Sequence, residues 1–401
     1  MDNTYKTQTT ISFEDTATAF ASKSDLELKK MHLLFAAMNS NALVSTGTFF
    51  MKAALKFGLP IKSPIKHTLF EQFCGGESIS ECENAIQELA NYHIKTILDY
   101  SVEGEKTEAG FDATTREILA TIERAKGDAN IPFSVFKVTG IAATRLLEKK
   151  QSGSLLSEAE KISFDKVVNR VDTICKKAYD NNVRIFIDGE ESWIQETIDE
   201  LAYEMMRKYN KEQPIVYNTF QMYLSASLNK LKDALHNAVM HNYYLGAKLV
   251  RGAYMEKERE EARRRGIPDP VQPDKESTDE DFDKALLFCM NEKQRIAICS
   301  GSHNEHSNYY LTVLMDKHGL APNDSRVYFA QLYGMSDHIS YNLAKAGYNV
   351  AKYVPYGPIE SVMPYLFRRA EENTSIAGQS SREFNLIQKE LRRRKAEAKA
   401  S

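Results

Sequence analysis

The residues best suited to chemistry fall into two sets. In the first, Tyr365, Arg368, Arg369 and Glu372 recur at i, i+3, i+4 and i+7, which places them on one face of a helix. Two neighbouring guanidiniums on such a face can clamp a carboxylate through forked hydrogen bonds. Ile359, Val362, Met363, Leu366 and Ala370 take the opposite face, and Pro358 is expected at the first helical position. Read by itself, the pattern is an amphipathic helix with its charged side in water. In the second set, polar residues stand in or just after short apolar runs: Asp99, Lys137, Asp188, Gln221, Lys248 with Arg251, Ser302 with His303, Gln331, and Tyr353. Polar groups converging from many strand ends make a polar site. Lys137 and Lys248 could also act as Schiff-base nucleophiles. His303 and His306 stand close in sequence but lack a third ligand nearby, so no metal site is expected.

The runs that must carry these groups are His93–Tyr100, Phe133–Val138, Val183–Ile187, Ile215–Thr219, Ala247–Val250, Ile296–Ser300, Val327–Gln331 and Asn349–Val354. Continuous apolar runs suit strands buried on both faces, and parallel strands need helical crossovers. Amphipathic stretches fill the gaps: Thr114–Lys126, Glu158–Asn181, Ser192–Tyr209, Leu228–Met240, Asp281–Arg295, Asn304–His318 and Ser336–Ala346. The fold class expected is α/β, a (β/α)8 barrel with its site at the C-terminal ends of the strands. A doubly wound open sheet is the competing arrangement. Residues 1–85 read as a helical arm, with helices over Leu26–Met38 and Ala42–Phe57 before Pro60 and Pro64. Residues 86–375 form the barrel, and 376–401 read as a basic, frayed tail. The charged run Glu256–Arg265 reads as a solvated helix, and Gly266–Thr278 as a loop or lid.

Bulk properties narrow the function classes. The 401 residues are 42% hydrophobic and 27% charged with a net charge of −3, so nothing points to nucleic acid. The longest apolar runs are far too short to span a bilayer. Five cysteines (Cys74, Cys82, Cys175, Cys289 and Cys299) show no metal spacing and suggest buried thiols in a reducing compartment. No G-x-G-x-x-G follows a strand, which argues against a Rossmann site, and neither a P-loop nor a nucleophile elbow occurs. Acidic residues and the lack of arginine in the first thirty positions argue against a secretory or transit peptide.

Four segments carry a resemblance: Ile187-Asp-Gly-Glu-Glu191, Lys248-Leu-Val-Arg-Gly-Ala-Tyr254, Gly301-Ser-His-Asn304, and Tyr353-Val-Pro-Tyr-Gly-Pro358 leading into Tyr365-Leu-Phe-Arg-Arg-Ala-Glu-Glu372. In order and spacing they resemble the proline dehydrogenase family over residues 90–375, in the form of its monofunctional, eukaryotic-like branch. The resemblance implies a distorted (β/α)8 barrel that binds FAD, with the last helix lying over the barrel mouth rather than in water. It implies oxidation of L-proline to 1-pyrroline-5-carboxylate, with hydride passing from C5 to flavin N5 and electrons going on to a quinone. Arg368 and Arg369 would clamp the substrate carboxylate. Tyr353 and Tyr365 would pack on the ring, and Lys137 would belong to the substrate site. Asp188, Lys248 and Tyr353 are the catalytic candidates. The cofactor set is Gly189, Gln221, Lys248, Arg251, Gly252, Ala253, Tyr254, Ser302, His303, Gln331 and Glu372, the last also placed to orient an arginine. Glu103 would gate the site. Many bacterial members carry arginine where this chain has Lys248, which offers a point charge without the fork.

The resemblance also implies a bacterial cytoplasmic enzyme, with peripheral contact at the inner membrane, or a mitochondrial one if a transit peptide precedes this chain. The close rival is hydroxyproline dehydrogenase, whose smaller residue at the Tyr353 position admits the 4-hydroxyl; tyrosine favours proline. The rival from another class is a Schiff-base aldolase using Lys137 or Lys248.

Overall fold

The computed structural model describes residues 11–39, 65–101, 105–375 and 379–400. Eight parallel strands close into a barrel in chain order: β1 (Ile94–Tyr100), β2 (Phe133–Phe136), β3 (Arg184–Ile187), β4 (Val216–Gln221), β5 (Leu245–Val250), β6 (Ile296–Gly301), β7 (Val327–Leu332) and β8 (Val350–Tyr356). Every expected run forms its strand, and β1 pairs with β8 to complete the closure, which excludes the open sheet.

Strand periodicity explains how the interior becomes a site. Along β3 and just past it, Arg184, Phe186 and Asp188 alternate onto the inner face. At the bottom, the Arg184 guanidinium lies 5.4 Å from the Phe133 ring centre and 5.3 Å from that of Tyr328. In the middle, Phe186 stacks on Phe133 at 4.3 Å, and Tyr217 meets both rings edge-on. Asp188 then stands at the top. The aromatic plug closes the barrel from below and leaves the polar layer facing the mouth.

The helices form the outer ring. In chain order they are α1 (Thr16–Ala19), α2 (Asp25–Met38), α3 (Glu83–Asn91), α4 (Glu108–Ala125), α5 (Thr144–Gln151), α6 (Glu158–Asp180), α7 (Ser192–Tyr209), α8 (Ser227–Met240), α9 (Met255–Arg265), α10 (Lys275–Asn291), α11 (Glu305–Lys317), α12 (Asp337–Lys345), α13 (Ile359–Ser375) and α14 (Gln379–Ala400). A short helical segment over 66–73 precedes α3. The expected helix over Leu26–Met38 forms as α2; the one over Ala42–Phe57 lies outside the described residues.

Three readings change. The stretch expected as a loop ends early, because Asp274 accepts the Ser277 N–H and caps α10 from Lys275 onward. Pro358 sits one position before the helix, where its carbonyl accepts the Ser361 and Val362 N–H groups. The tail 376–401 holds the helix α14, and of Glu390–Ser401, expected as a helix-permissive frayed end, Glu390 is buried and Arg394 is bonded to the arm while 395–400 are exposed. Leu386 and Ile387 of α14 join Phe20, Leu28, Met31 and Phe35 of the arm in one buried cluster. Arg394 donates to the Phe20 and Lys23 carbonyls, so the basic residues hold the arm instead of facing away from it.

Candidate functional site

A charged layer sits directly on the aromatic plug. Asp188 accepts a hydrogen bond from Lys137 Nζ at 3.0 Å and a second from Lys248 Nζ. Lys248 also donates to Tyr353 Oη at 2.9 Å, with its ammonium over the faces of Tyr353 and Phe186. Asp188 and Lys248 are only 8% and 5% exposed. Burial alone would raise the Asp188 carboxyl, but Lys137 and Lys248 outweigh it and hold the group well below the usual carboxylate range. Burial and the Asp188 charge push the Tyr353 phenol the other way, well above its ordinary value.

The loop after β3 adds a group that the sequence reading passed over. Glu190, inside the same motif as Asp188, accepts the Thr139 N–H at 3.0 Å and its hydroxyl. Burial lifts its carboxyl to about 7 against those bonds. Gln221 donates to the Glu190 carbonyl at 2.7 Å. A Cβ on Gly189 would stand 3.0 Å from that same Gln221 amide, so the two expected cofactor residues are in contact.

The loop after β5 presents Arg251 in a fixed pose. Its Nε donates to Asp279 at 2.6 Å, and its two terminal nitrogens donate to Ser302 Oγ at 2.8 Å and Ser307 Oγ at 2.9 Å. Gly252 follows at φ +128°, and a Cβ there would fall 1.8 Å from the Tyr223 ring. Only glycine fits. Ala253 is exposed beside it. Burial raises the Tyr254 phenol, while the charges of Lys137 and Arg368 act against that rise, so Tyr254 lies between the charged layer and the last helix.

Across the mouth, the Ser302 carbonyl accepts from Gln331 Nε2 at 3.0 Å, and Gln331 Oε1 accepts from Ser340. His303 Nε2 accepts the Leu332 N–H at 3.4 Å, which assigns the ring proton to Nδ1, 2.9 Å from Ser336 Oγ. Burial, with the Lys352 and Arg369 charges, drives the imidazole down to about 3, so it is neutral at physiological pH. Lys352, also not singled out by sequence, lies on the outer side of β8 and pairs with Asp337 at 2.7 Å while 1% exposed.

The last helix, α13, lies over this mouth. Arg369 is buried, and its guanidinium stands 5.2 Å from the Tyr365 ring centre. Tyr365 itself packs with Val362, Met363, Leu366 and Phe367, so the face drawn as polar is partly apolar and buried. The Arg369 charge lowers the His303 imidazole and the Arg368 charge opposes the rise of the Tyr254 phenol. The Glu372 side chain and Glu103 lie outside the described residues. His306 is exposed and pairs with Asp283 at 3.1 Å. Among the described residues, no group of three or more His, Cys, Asp or Glu converges.

The closed parallel barrel carries its charged layer at the C-terminal ends of the strands, where enzymes of this fold class carry their sites. The sequence model of the family described as Proline dehydrogenase matches residues 82–382. The chain is 34% identical to Proline dehydrogenase 1, mitochondrial, of Dictyostelium discoideum, an alignment covering 95% of this chain and 74% of that protein. It is 31% identical to Hydroxyproline dehydrogenase of Xenopus laevis, over 82% of this chain and 78% of that one. Among solved structures, proline utilization A (PutA) from Bdellovibrio bacteriovorus, inactivated by N-propargylglycine, superposes with a TM-score of 0.70 at 20% identity. That match covers 90% of this chain and 38% of the longer protein, and it shows the shared barrel fold. The chain belongs to the proline dehydrogenase family, whose reaction is the oxidation of proline to 1-pyrroline-5-carboxylate.

Proposed function

We propose that this chain oxidises L-proline by removing hydride from C5, using FAD held at the barrel mouth. The carrying observation is that α13 buries Arg369 and Tyr365 instead of turning them to water, with Tyr365 in one cluster with Phe70, Phe73 and Met335. The residues fit the cofactor. Arg251 is preorganised by three hydrogen bonds, beside a glycine packed on Tyr223, which suits a diphosphate. Ser302, His303, Gln331 and Ala253 complete that cradle, while Gln221, Gly189, Lys248 and Tyr254 line the part nearer the barrel axis. When bound, the flavin supplies the hydride acceptor.

The chain's own residues do the rest. Arg368 and Arg369 hold the substrate carboxylate, and Lys137 stands at its flank. Tyr353, fixed by Lys248, and Tyr365 offer ring faces to the pyrrolidine. The concentration of cations favours the unprotonated substrate amine, whose lone pair is needed as C5 gives up hydride. Asp188 sets the positions of both lysines. Their ammoniums are engaged by this carboxylate, which leaves neither as a free amine nucleophile for the aldolase alternative. The Tyr353 ring fills space that a 4-hydroxyl would need, so proline is preferred over hydroxyproline.

Anaerobic proline added to the purified protein is expected to bleach a flavin spectrum, and hydroxyproline to do so far more slowly. A colourless protein, or a preference for hydroxyproline, would overturn the assignment. Gly252→Ala is expected to lose flavin and to lower the thermal midpoint by a few degrees, because the added methyl costs roughly 2 kcal/mol in strain and overlap. Retention of both properties would contradict the cradle. A quinone is the proposed electron acceptor. Since quinones reside in lipid, the same reading proposes peripheral contact with a membrane: the bacterial inner membrane from the cytoplasm, or a mitochondrial membrane if a transit peptide precedes this chain. Among the described residues, no helix is long and apolar enough to cross a membrane.

A further inference from the structure

Two consecutive residues of the C-terminal helix grip the two loops that carry the cofactor cradle. Arg382 Nε donates to Glu305 Oε1 at 2.7 Å, and Glu305 opens the helix that directly follows His303 and Asn304. Glu383, 2% exposed, accepts the Ser336 N–H on both oxygens, at 2.8 and 3.1 Å. Ser336 is a left-handed residue, φ 52° and ψ 42°, which is costly for a side chain other than glycine and persists only where its surroundings impose it. Its hydroxyl lies 2.9 Å from His303 Nδ1.

We propose that Glu383 is a positioning residue for the cofactor site: by holding the Ser336 N–H it fixes the serine hydroxyl that anchors His303 Nδ1 and so the orientation of the ring, whose tautomer the Leu332 N–H already sets. The inference rests on the reading that a flavin dinucleotide occupies this mouth. It makes α14 part of the site through the Glu383–Ser336 contact. The requirement on Glu383 is for an acceptor of the right length. Burial raises its carboxyl to about 7, so an uncharged acceptor serves as well as a charged one. Glutamine keeps the acceptor and the reach, whereas aspartate keeps the charge but is one methylene short. A role based on charge alone predicts the reverse order.

The test uses the full chain labelled with 15N-histidine, with FAD affinity measured in parallel by titration. In the wild type and in Glu383→Gln, the His303 nitrogens are expected to report a fixed Nδ1-protonated ring, with FAD affinities within about threefold of each other. In Glu383→Asp and Glu383→Ala, the ring is expected to lose its fixed orientation, seen as exchange-broadened His303 nitrogen signals, with FAD binding at least tenfold weaker. Should the alanine variant fail to fold, the aspartate and glutamine pair decides the matter. Ser336→Ala supplies an independent check, since it removes only the hydroxyl and is expected to loosen the ring in the same way. A fixed His303 ring in the aspartate or Ser336→Ala variants would overturn the proposal, as would a glutamine variant as impaired as aspartate. A wild-type protein that binds no FAD refutes the occupancy reading. The NMR comparison still decides whether Glu383 positions His303.

Discussion

Replacing Arg369 by methionine is expected to lower kcat/KM for proline by two to three orders of magnitude while leaving the flavin in place. A forked, charge-assisted contact to a carboxylate is worth about 3 to 4 kcal/mol, and each 1.36 kcal/mol is a factor of ten in rate. Methionine keeps an unbranched stem of similar reach in the buried site, so the loss reports the missing guanidinium rather than a large cavity. Arg251 donates its hydrogen bonds to Asp279, Ser302 and Ser307, and Gln331 donates to the Ser302 carbonyl, so this network has its own anchors. The flavin absorbance per mole of protein is therefore expected to match the wild type. Steady-state kinetics with proline, with the bound flavin quantified in the same preparation, checks both parts. Unchanged kcat/KM would remove Arg369 from the substrate site. Equal loss of flavin would move it into the cofactor cradle.

The barrel was legible because its strands are continuous apolar runs, a pattern that surface strands do not show. Asp188 and Lys248 were legible because each stands in or just after such a run, where the chain direction puts side chains at the mouth. The last helix was not legible from its own pattern. An arginine-bearing face reads as solvated, and only the long-range packing of Tyr365 and Phe367 against Phe70 and Phe73 shows that it is covered. The resemblance supplied that placement and the structure gives it a physical cause. Glu383 and Ser336 lie 47 residues apart, so no local spacing could connect them. Lys352 was hidden for a different reason. It neighbours Tyr353 but points to the opposite face of β8, where its partner Asp337 comes from the start of a helix. The C-terminal stretch was misread because its many basic residues obscure Leu386, Ile387 and the buried Glu390.

Asp188→Asn is expected to destabilise the fold by about 3 kcal/mol or more, and Lys248→Met introduced alongside it is expected to recover much of that loss. Breaking a buried ion pair from one side costs about 3 to 5 kcal/mol, because the remaining charge stays buried without compensation. In the asparagine variant two ammoniums face an amide, and Lys248 has almost no access to water. The double variant removes the stranded Lys248 charge, while Lys137, whose side chain is 23% exposed, can draw on solvent. Thermal or denaturant unfolding of the wild type, both single variants and the double variant yields the coupling directly, and about 2 kcal/mol of non-additivity is expected. Additive losses would mean that the layer is not a unit. The pH dependence has a fixed sign. The folded Asp188 carboxyl titrates below its unfolded value of about 3.9, so its stabilisation is present above that pH and is lost as pH falls through the folded pKa. The wild type is therefore expected to lose stability on acidification below about pH 4 more steeply than Asp188→Asn, which has no such carboxylate to protonate. Catalysis responds differently from stability. The double variant regains the fold but has neither the carboxylate that places Lys137 nor the ammonium that pins the Tyr353 phenol, so its kcat is expected to stay low. Recovered stability without recovered turnover would show that this charged layer is maintained for the chemistry it positions and not for the barrel it caps.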